Sequence, residues 1–167
     1  IGKSALAVLT SGEGNIAIGY QAMDANLTGD KNTAVGHQAL TTQVGIDGTQ
    51  SNTAVGFQAG QSITSGKYNT VVGSESMSEA AGNAITGDGN TCIGAVAGHA
   101  LEGAAASNTL IGKSAGSNIT TSGSNTVIGK EALLLATTAV NNVAIGQSAM
   151  GSITTNSVDG CVVIGNQ

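Results

Sequence analysis

The dominant feature of this sequence is a short motif that returns along the whole chain. The stretch SNTVIGKEAL at residues 124–133 has near-copies throughout, each built on an Ile-Gly or Val-Gly pair. The steps between successive glycines of these pairs are 17, 17, 20, 17, 21, 18, 17, 17 and 19 residues. A repeat of this length is typical of solenoids, in which each coil packs on its neighbours. The repeat glycines are Gly2, Gly19, Gly36, Gly56, Gly73, Gly94, Gly112, Gly129, Gly146 and Gly165.

Alternation within the motif predicts a β-strand. In NTAVG, a strand places Thr33 and Val35 on one side and Ala34 on the other. The middle position is apolar in every copy, so we expect both sides of the strand to be shielded from water. Such strands at a nearly fixed period predict an all-β parallel β-solenoid or β-roll, a single repeat domain over residues 1–167 with about ten coils of 17–21 residues. Ten coils at the usual strand spacing form an elongated, stiff rod about 45–50 Å long.

The small apolar content of one coil predicts self-association. Burial of one Val or Ile stabilises a fold by roughly 1.5–3 kcal/mol, whereas ordering the backbone costs about 1–2 kcal/mol per residue. One branched residue per coil is therefore too little, and the second side of the strand must also be covered. Because the middle residue is small, we expect other chains to approach closely on that side. A homotrimer arranged about a threefold axis suits a narrow apolar strand.

The asparagine and glycine columns of the motif have structural interpretations, and only Cys161 breaks the asparagine column. The asparagine four residues before the glycine is either a turn residue that bonds its own backbone or part of a stack of amides about 4.8 Å apart. The repeat glycine marks a bend or the close approach of another backbone. The segment after the glycine is predicted as short strand or irregular backbone, and length variation is expected in loops on an outer face. The asparagines are Asn15, Asn32, Asn52, Asn69, Asn90, Asn108, Asn125 and Asn142.

Composition argues against several classes of partner. Charged residues make up 9% of the chain, there is no Arg and the formal net charge is −5, so no nucleic-acid-binding surface is expected. The longest apolar run, residues 132–136, is far shorter than the roughly 20 residues of a membrane span. We therefore expect no membrane insertion. Because the chain begins inside one repeat and ends just after another, we interpret it as a fragment of a longer fibre protein.

Polar residues form no catalytic or metal-binding pattern in the sequence. The ten carboxylates are scattered without the recurring pair of a glycosidase, and the Asp-Gly stretches at residues 46–49 and 86–90 lack the alternating aspartates of calcium loops. We expect no enzyme activity, no catalytic residue, no metal and no cofactor. Cys92 and Cys161 stand four coils apart, about 19 Å at the strand spacing, which is too far for a disulfide.

The few aromatic residues cluster near the repeat glycines. Tyr20, His37 and Phe57 each follow a repeat glycine directly, and Tyr68 lies just before a repeat strand. Rings with an apolar body and a polar tip or edge suit contacts with carbohydrate or protein. These four residues are the candidates for contact with a host-surface glycan or protein.

The motif N-T-A-V-G-x-Q-A-L, as at residues 32–40, resembles the repeats of phage tail fibres and is similar to the head repeats of trimeric autotransporter adhesins. The likeness covers the whole chain. It implies a homotrimeric, elongated β-roll: a structural segment of a tail fibre on the virion surface, giving a stiff stalk and exposing loops for host attachment. The alternative implied is the head of a bacterial adhesin on the cell surface, although the coils here are longer than adhesin repeats.

A second alternative is an enzyme of a different class. IGKSAL, VGHQAL and IGQSAM each fit one unit of the left-handed hexapeptide acyltransferases, in which His37 or His99 would serve as the base. Those enzymes require three successive hexads per coil. Only one hexad per coil fits here, and most steps are 17 rather than 18 residues.

Overall fold

The computed structural model describes residues 1–44, 48–78, 83–153 and 157–166, which form a parallel β-solenoid of about eight turns. Within these residues no helix is long and apolar enough to cross a membrane. The strands are β1 (Ile16–Ile18), β2 (Gly29–Asp30), β3 (Thr33–Val35), β4 (Gly48–Thr49), β5 (Thr53–Val55), β6 (Thr70–Val72), β7 (Thr91–Ile93), β8 (Thr109–Ile111), β9 (Thr126–Ile128), β10 (Thr138–Val140), β11 (Val143–Ile145), β12 (Ser157–Asp159) and β13 (Val162–Ile164).

One parallel sheet of nine strands contains every copy of the motif from β1 to β13, in the order β1-β3-β5-β6-β7-β8-β9-β11-β13. The strands pair position for position, so Thr53 faces Thr33 on one side and Thr70 on the other. The backbone N–H of Thr53 donates to the carbonyl of Asn69 at 2.8 Å. The predicted parallel stack is confirmed. Coils of unequal length keep this register: the strands on either side of the 20-residue coil pair Thr33 with Thr53, and those on either side of the 21-residue coil pair Thr70 with Thr91.

The number of coils is smaller than the ten expected. Nine strands are joined through about eight turns. The difference arises at Gly2, where only Ile1 precedes the glycine and no strand forms. Ile1 still pairs with the next coil, because the N–H of Gly19 donates to its carbonyl at 2.8 Å.

The remaining sides of the coils hold shorter pairings. β2 pairs with β4 and β10 with β12, both parallel, and isolated bridges join Ile63, Ile85 and Gly103. The two longest coils contain residues 45–47 and 79–82, which lie outside the described residues. The prediction that the inserts of these coils lie on an outer face therefore concerns residues outside those that the structure describes.

The prediction of which side of the strand faces outward was wrong. The sequence analysis placed the small middle residue on the side that other chains approach. The middle residue of each strand lines the interior of the solenoid, from Ala34 in β3 to Ala144 in β11, with no exposed surface. The Thr and Val or Ile positions face outward and are half-buried or exposed. Both sides of the strand are apolar, so the sequence alone could not distinguish them. The small side belongs inside because the opposite wall of the coil lies close to it and already holds large side chains.

That opposite wall is built by the residue four positions after the repeat glycine. Here Met23, Leu40, Met77, Leu133 and Met150 are among the largest fully buried side chains. They lie in turns with φ between +46° and +57°, not in strands or helical turns. Of the two alternatives predicted for this segment, short strand or irregular backbone, the structure has the second.

Glycines replace the large residue at this position in three coils, and a residue three positions later compensates. An added Cβ at Gly60 would lie 3.0 Å from the Cδ1 of Ile63, which occupies the vacant space. Three coils with a large fourth residue instead carry a small or polar one at the compensating position: Met23 with Asn26, Leu40 with Gln43 and Leu133 with Ala136. Met150 does not follow this rule, because Ile153 stands three positions after it and packs against the core. The glycine pairs are Gly60 with Ile63, Gly98 with Leu101 and Gly116 with Ile119.

The repeat glycines are required by both conformation and space. Gly112 has φ of +130°, and an added Cβ would lie 2.7 Å from the carbonyl carbon and oxygen of Gly129 in the next coil. Real Cβ atoms do not approach backbone so closely. The column therefore marks the close backbone approach that its sequence position suggested.

We expect Gly112→Ala to lower the free energy of unfolding by about 3 kcal/mol, since it combines backbone strain of roughly 1–3 kcal/mol with overlap on the next coil. Chemical denaturation followed by circular dichroism measures this loss. Gly165→Ala is the matched control, because Gly165 has φ of +147° but no heavy atom within 4 Å of an added Cβ. Equal losses in the two variants would show that the overlap contributes nothing.

A double-mutant cycle tests whether Ile63 compensates for the missing side chain at Gly60. Gly60→Leu alone overpacks the core and costs about 1–3 kcal/mol, and Ile63→Ala alone leaves a cavity costing about 2–5 kcal/mol. The double variant recreates the pairing of Leu133 with Ala136 and is expected to be more stable than either single variant. Additive losses in denaturant titrations would contradict the compensation.

Candidate functional site

An asparagine ladder runs through the interior of the solenoid. The Oδ1 of Asn108 accepts from the backbone N of Asn125 at 3.2 Å and from its Nδ2 at 3.0 Å, and equivalent bonds recur from coil to coil. At the last coil the backbone N of Cys161 donates to the Oδ1 of Asn142 at 2.9 Å. These bonds correspond to the stack of amides rather than to isolated turns.

Every ladder amide except that of Asn32 also closes the turn before the next strand. The Nδ2 of Asn52 donates to the carbonyl of Gly66 at 2.7 Å, and that of Asn90 to the carbonyl of Ala105 at 2.8 Å. In both cases the acceptor lies three residues before the next ladder asparagine. An asparagine thus satisfies buried backbone groups on two sides, which only a side chain with both a donor and an acceptor can do.

The ladder departs from this pattern in the 20-residue coil after Asn32. The Nδ2 of Asn32 donates to the Oε1 of Gln50 at 3.3 Å, and the Nε2 of Gln43 donates to the same oxygen at 2.6 Å. The Oε1 of Gln43 is buried and has no hydrogen-bond partner in the described part of the chain. Sequence reasoning missed both glutamines, because no other coil has them.

The exterior of the nine-stranded sheet carries two columns of side chains, which we call the outer face. None of its residues is charged. Ile16 is 52% exposed and Ile18 is 41% exposed, and the Val and Ile residues of the later strands are half-buried or exposed. One column holds Ile16, Thr33, Thr53, Thr70, Thr91, Thr109, Thr126, Val143 and Val162, and the other holds Ile18, Val35, Val55, Val72, Ile93, Ile111, Ile128, Ile145 and Ile164.

Three of the four predicted surface-contact residues form a stack beside the outer face. The rings of Tyr20 and His37 have centroids 5.0 Å apart, and those of His37 and Phe57 are 5.3 Å apart, with interplanar angles of 26° and 24°. Tyr20 is 41% and Phe57 45% exposed. We call these three residues the aromatic stack. Each lies two residues beyond the second column, within about 7 Å along the chain.

The fourth predicted contact residue lies apart from the aromatic stack. Tyr68 precedes the ladder residue Asn69 at the start of a strand, whereas the stack residues follow the repeat glycines at strand ends. Its φ of +58° is shared by the residue in that position of other coils. The sequence therefore identified four exposed rings but not their division into a stack and a separate residue.

Titratable groups are dispersed over the coils. Among the residues that the structure describes, no three His, Cys, Asp or Glu side chains lie close enough together to hold a metal ion. His37 is part of the aromatic stack, and His99 lies in a turn three strands further along the sheet. Cys92 and Cys161 are free thiols, the first buried and the second exposed, and burial raises the pKa of Cys92 far above its ordinary value.

The Asn ladder is expected to be essential for stability. Asn108→Ala removes the acceptor of two hydrogen bonds and the donor to Asn90 Oδ1 and Ser122 O, both at 3.0 Å. Buried groups left unpaired cost about 1–3 kcal/mol each, so we expect a loss of about 2–4 kcal/mol in denaturant titration. Asn118→Ala, at an exposed turn, is the control and should change stability little. A small effect at Asn108 would contradict the importance of the ladder.

The sequence matches no protein-family model, and comparisons with curated proteins and with solved structures find no match. The chain is therefore characterised by its own geometry: a parallel β-solenoid with an internal amide ladder, an uncharged apolar outer face and an aromatic stack beside that face.

Proposed function

We propose that this chain is a structural, non-enzymatic segment of a homotrimeric fibre, in which the outer faces of three copies pack against one another. The observation that carries the proposal is the outer face itself. Nine strands at about 4.8 Å spacing extend roughly 38 Å, so the two columns of the outer face cover roughly 450 Å². This area is as large as the largest apolar patch of a typical monomer, and patches of that size often mark interaction sites.

Another copy of the chain fits this face better than an unrelated partner. The face repeats at the spacing of the solenoid over all nine strands, and a second copy has the same period. The absence of charged residues on the face also means that identical copies meet no like-charge repulsion.

Within such a fibre, the solenoid is the stiff stalk and the turns opposite the sheet expose loops for attachment to a host surface. The resemblance to tail-fibre repeats supports placing it on a virion. A bacterial adhesin head on the cell surface is the alternative with the same architecture. A self-cleaving chaperone domain in the neighbouring sequence of the full-length protein would distinguish the first from the second.

Light scattering coupled to size exclusion tests the assembly. The expected mass is three times the 16.1 kDa of the chain. Ile93→Lys with Ile128→Lys places cations on the outer face at positions 37% and 36% exposed, so the solenoid should remain folded while the trimer dissociates. Asn118→Lys adds a cation at an exposed turn as the control. A monomeric unchanged chain would refute the proposed function.

A further inference from the structure

We propose that the aromatic stack of Tyr20, His37 and Phe57 sets the axial alignment between sister chains, its partner being a second copy of this chain. This inference rests on the proposed function, because it requires sister chains to cover the outer face. It goes further in naming the residues that select one alignment over the others.

The outer face by itself specifies this alignment weakly. Its columns repeat Thr and Val or Ile, so a sister chain displaced by one coil meets nearly the same side chains. The displacement is about 4.8 Å, and eight of the nine strands remain matched. Uniform repetitive strands are prone to such slippage. A feature that occurs only once along the solenoid is needed to make one alignment preferred.

The column directly after the repeat glycine provides that feature. Aromatic rings occupy it in three consecutive coils and nowhere else, so the stack marks one end of the solenoid. After displacement by one coil, Phe57 of one chain lies level with Ser74 of its sister. The column consists of Lys3, Tyr20, His37, Phe57, Ser74, Ala95, Lys113, Lys130, Gln147 and Asn166.

The geometry of the stack favours a protein surface over a ligand that binds ring faces. The rings face one another at about 25°, so the stack exposes mainly edges. The adjacent glutamines hold the three coils together, since Gln38 Nε2 donates to Gln21 Oε1 and Gln58 Nε2 donates to Gln38 Oε1, both at 3.0 Å. Such an ordered stack of ring edges loses little conformational entropy on contact.

Disulfide trapping measures the axial alignment between sister chains directly. Chains carrying Thr91→Cys are co-refolded with tagged chains carrying Thr109→Cys, two outer-face positions paired in neighbouring strands β7 and β8. In an aligned trimer, a disulfide joins two chains that carry the same substitution, which we call a like-with-like disulfide. Displacement by one coil permits a disulfide between chains that carry different substitutions, an unlike disulfide, because the two Cα atoms must lie within about 7 Å. Cys161→Ser is included in both chains, and Cys92 is retained because it is buried.

The unchanged stack is expected to give mainly like-with-like disulfides. Tyr20→Ser with His37→Ser and Phe57→Ser should raise the unlike fraction several-fold while the mass and the circular dichroism spectrum of the trimer stay unchanged. Lys113→Ser with Lys130→Ser and Gln147→Ser is the matched control. It changes three residues of the same column outside the stack and should preserve the alignment.

The outcomes separate this inference from the proposed function. A trimer whose unlike fraction does not change in the stack variant overturns the inference alone. Dissociation of that variant, with the control variant intact, also overturns it, because the stack would then supply affinity rather than alignment. If like-with-like disulfides form neither at Thr91 and Thr109 nor at Ile93 and Ile111, the outer face is not the contact and the inference fails. A monomeric unchanged chain refutes both.

Discussion

Every side chain of the main sheet lies directly on its own equivalent one coil away, and this self-stacking limits which residues each column can hold. Asparagine is suited to it, because its amide both donates to and accepts from an identical neighbour. Glycine is required where backbones approach, as at Gly112 over Gly129. Charged residues are disfavoured in continuous columns because like charges would stack. The same constraint explains why so much of the chain is Gly, Ala, Ser, Thr and Asn.

The strands divide the molecule into a dry interior and an apolar exterior. Inside, small middle residues face the Leu, Met and Ile side chains of the opposite wall, and the Asn ladder satisfies the buried backbone. Outside, Thr and branched aliphatic residues continue over nine strands without a charge. A monomer in water gains nothing from such a face, whereas an assembly of identical chains can bury it along its full length. The fold and the proposed assembly thus follow from one repeated segment.

The sequence predicted those features that recur in every coil. The strands, their parallel register and the special role of the Asn and Gly columns could all be read from the period. The orientation of the strand could not, because both sides are apolar. Some coils fill the core with a pair such as Gly60 and Ile63, and others with a pair such as Leu133 and Ala136. This compensation is visible in the sequence only when the two columns are compared together. The buried pair Gln43 and Gln50, and the stacking of Tyr20, His37 and Phe57, depend on single coils and had no periodic signal.

Among the residues that the structure describes, 21 non-glycine residues have positive φ, including Leu40, Leu133 and Met150 in turns. Left-handed backbone costs roughly 1–2 kcal/mol for each such residue, so a lone coil detached from its neighbours is unstable. A coil added to an existing end gains ladder bonds and core contacts that outweigh the cost. We therefore expect the formation of a first stack of coils to be slow and the addition of further coils to it to be fast.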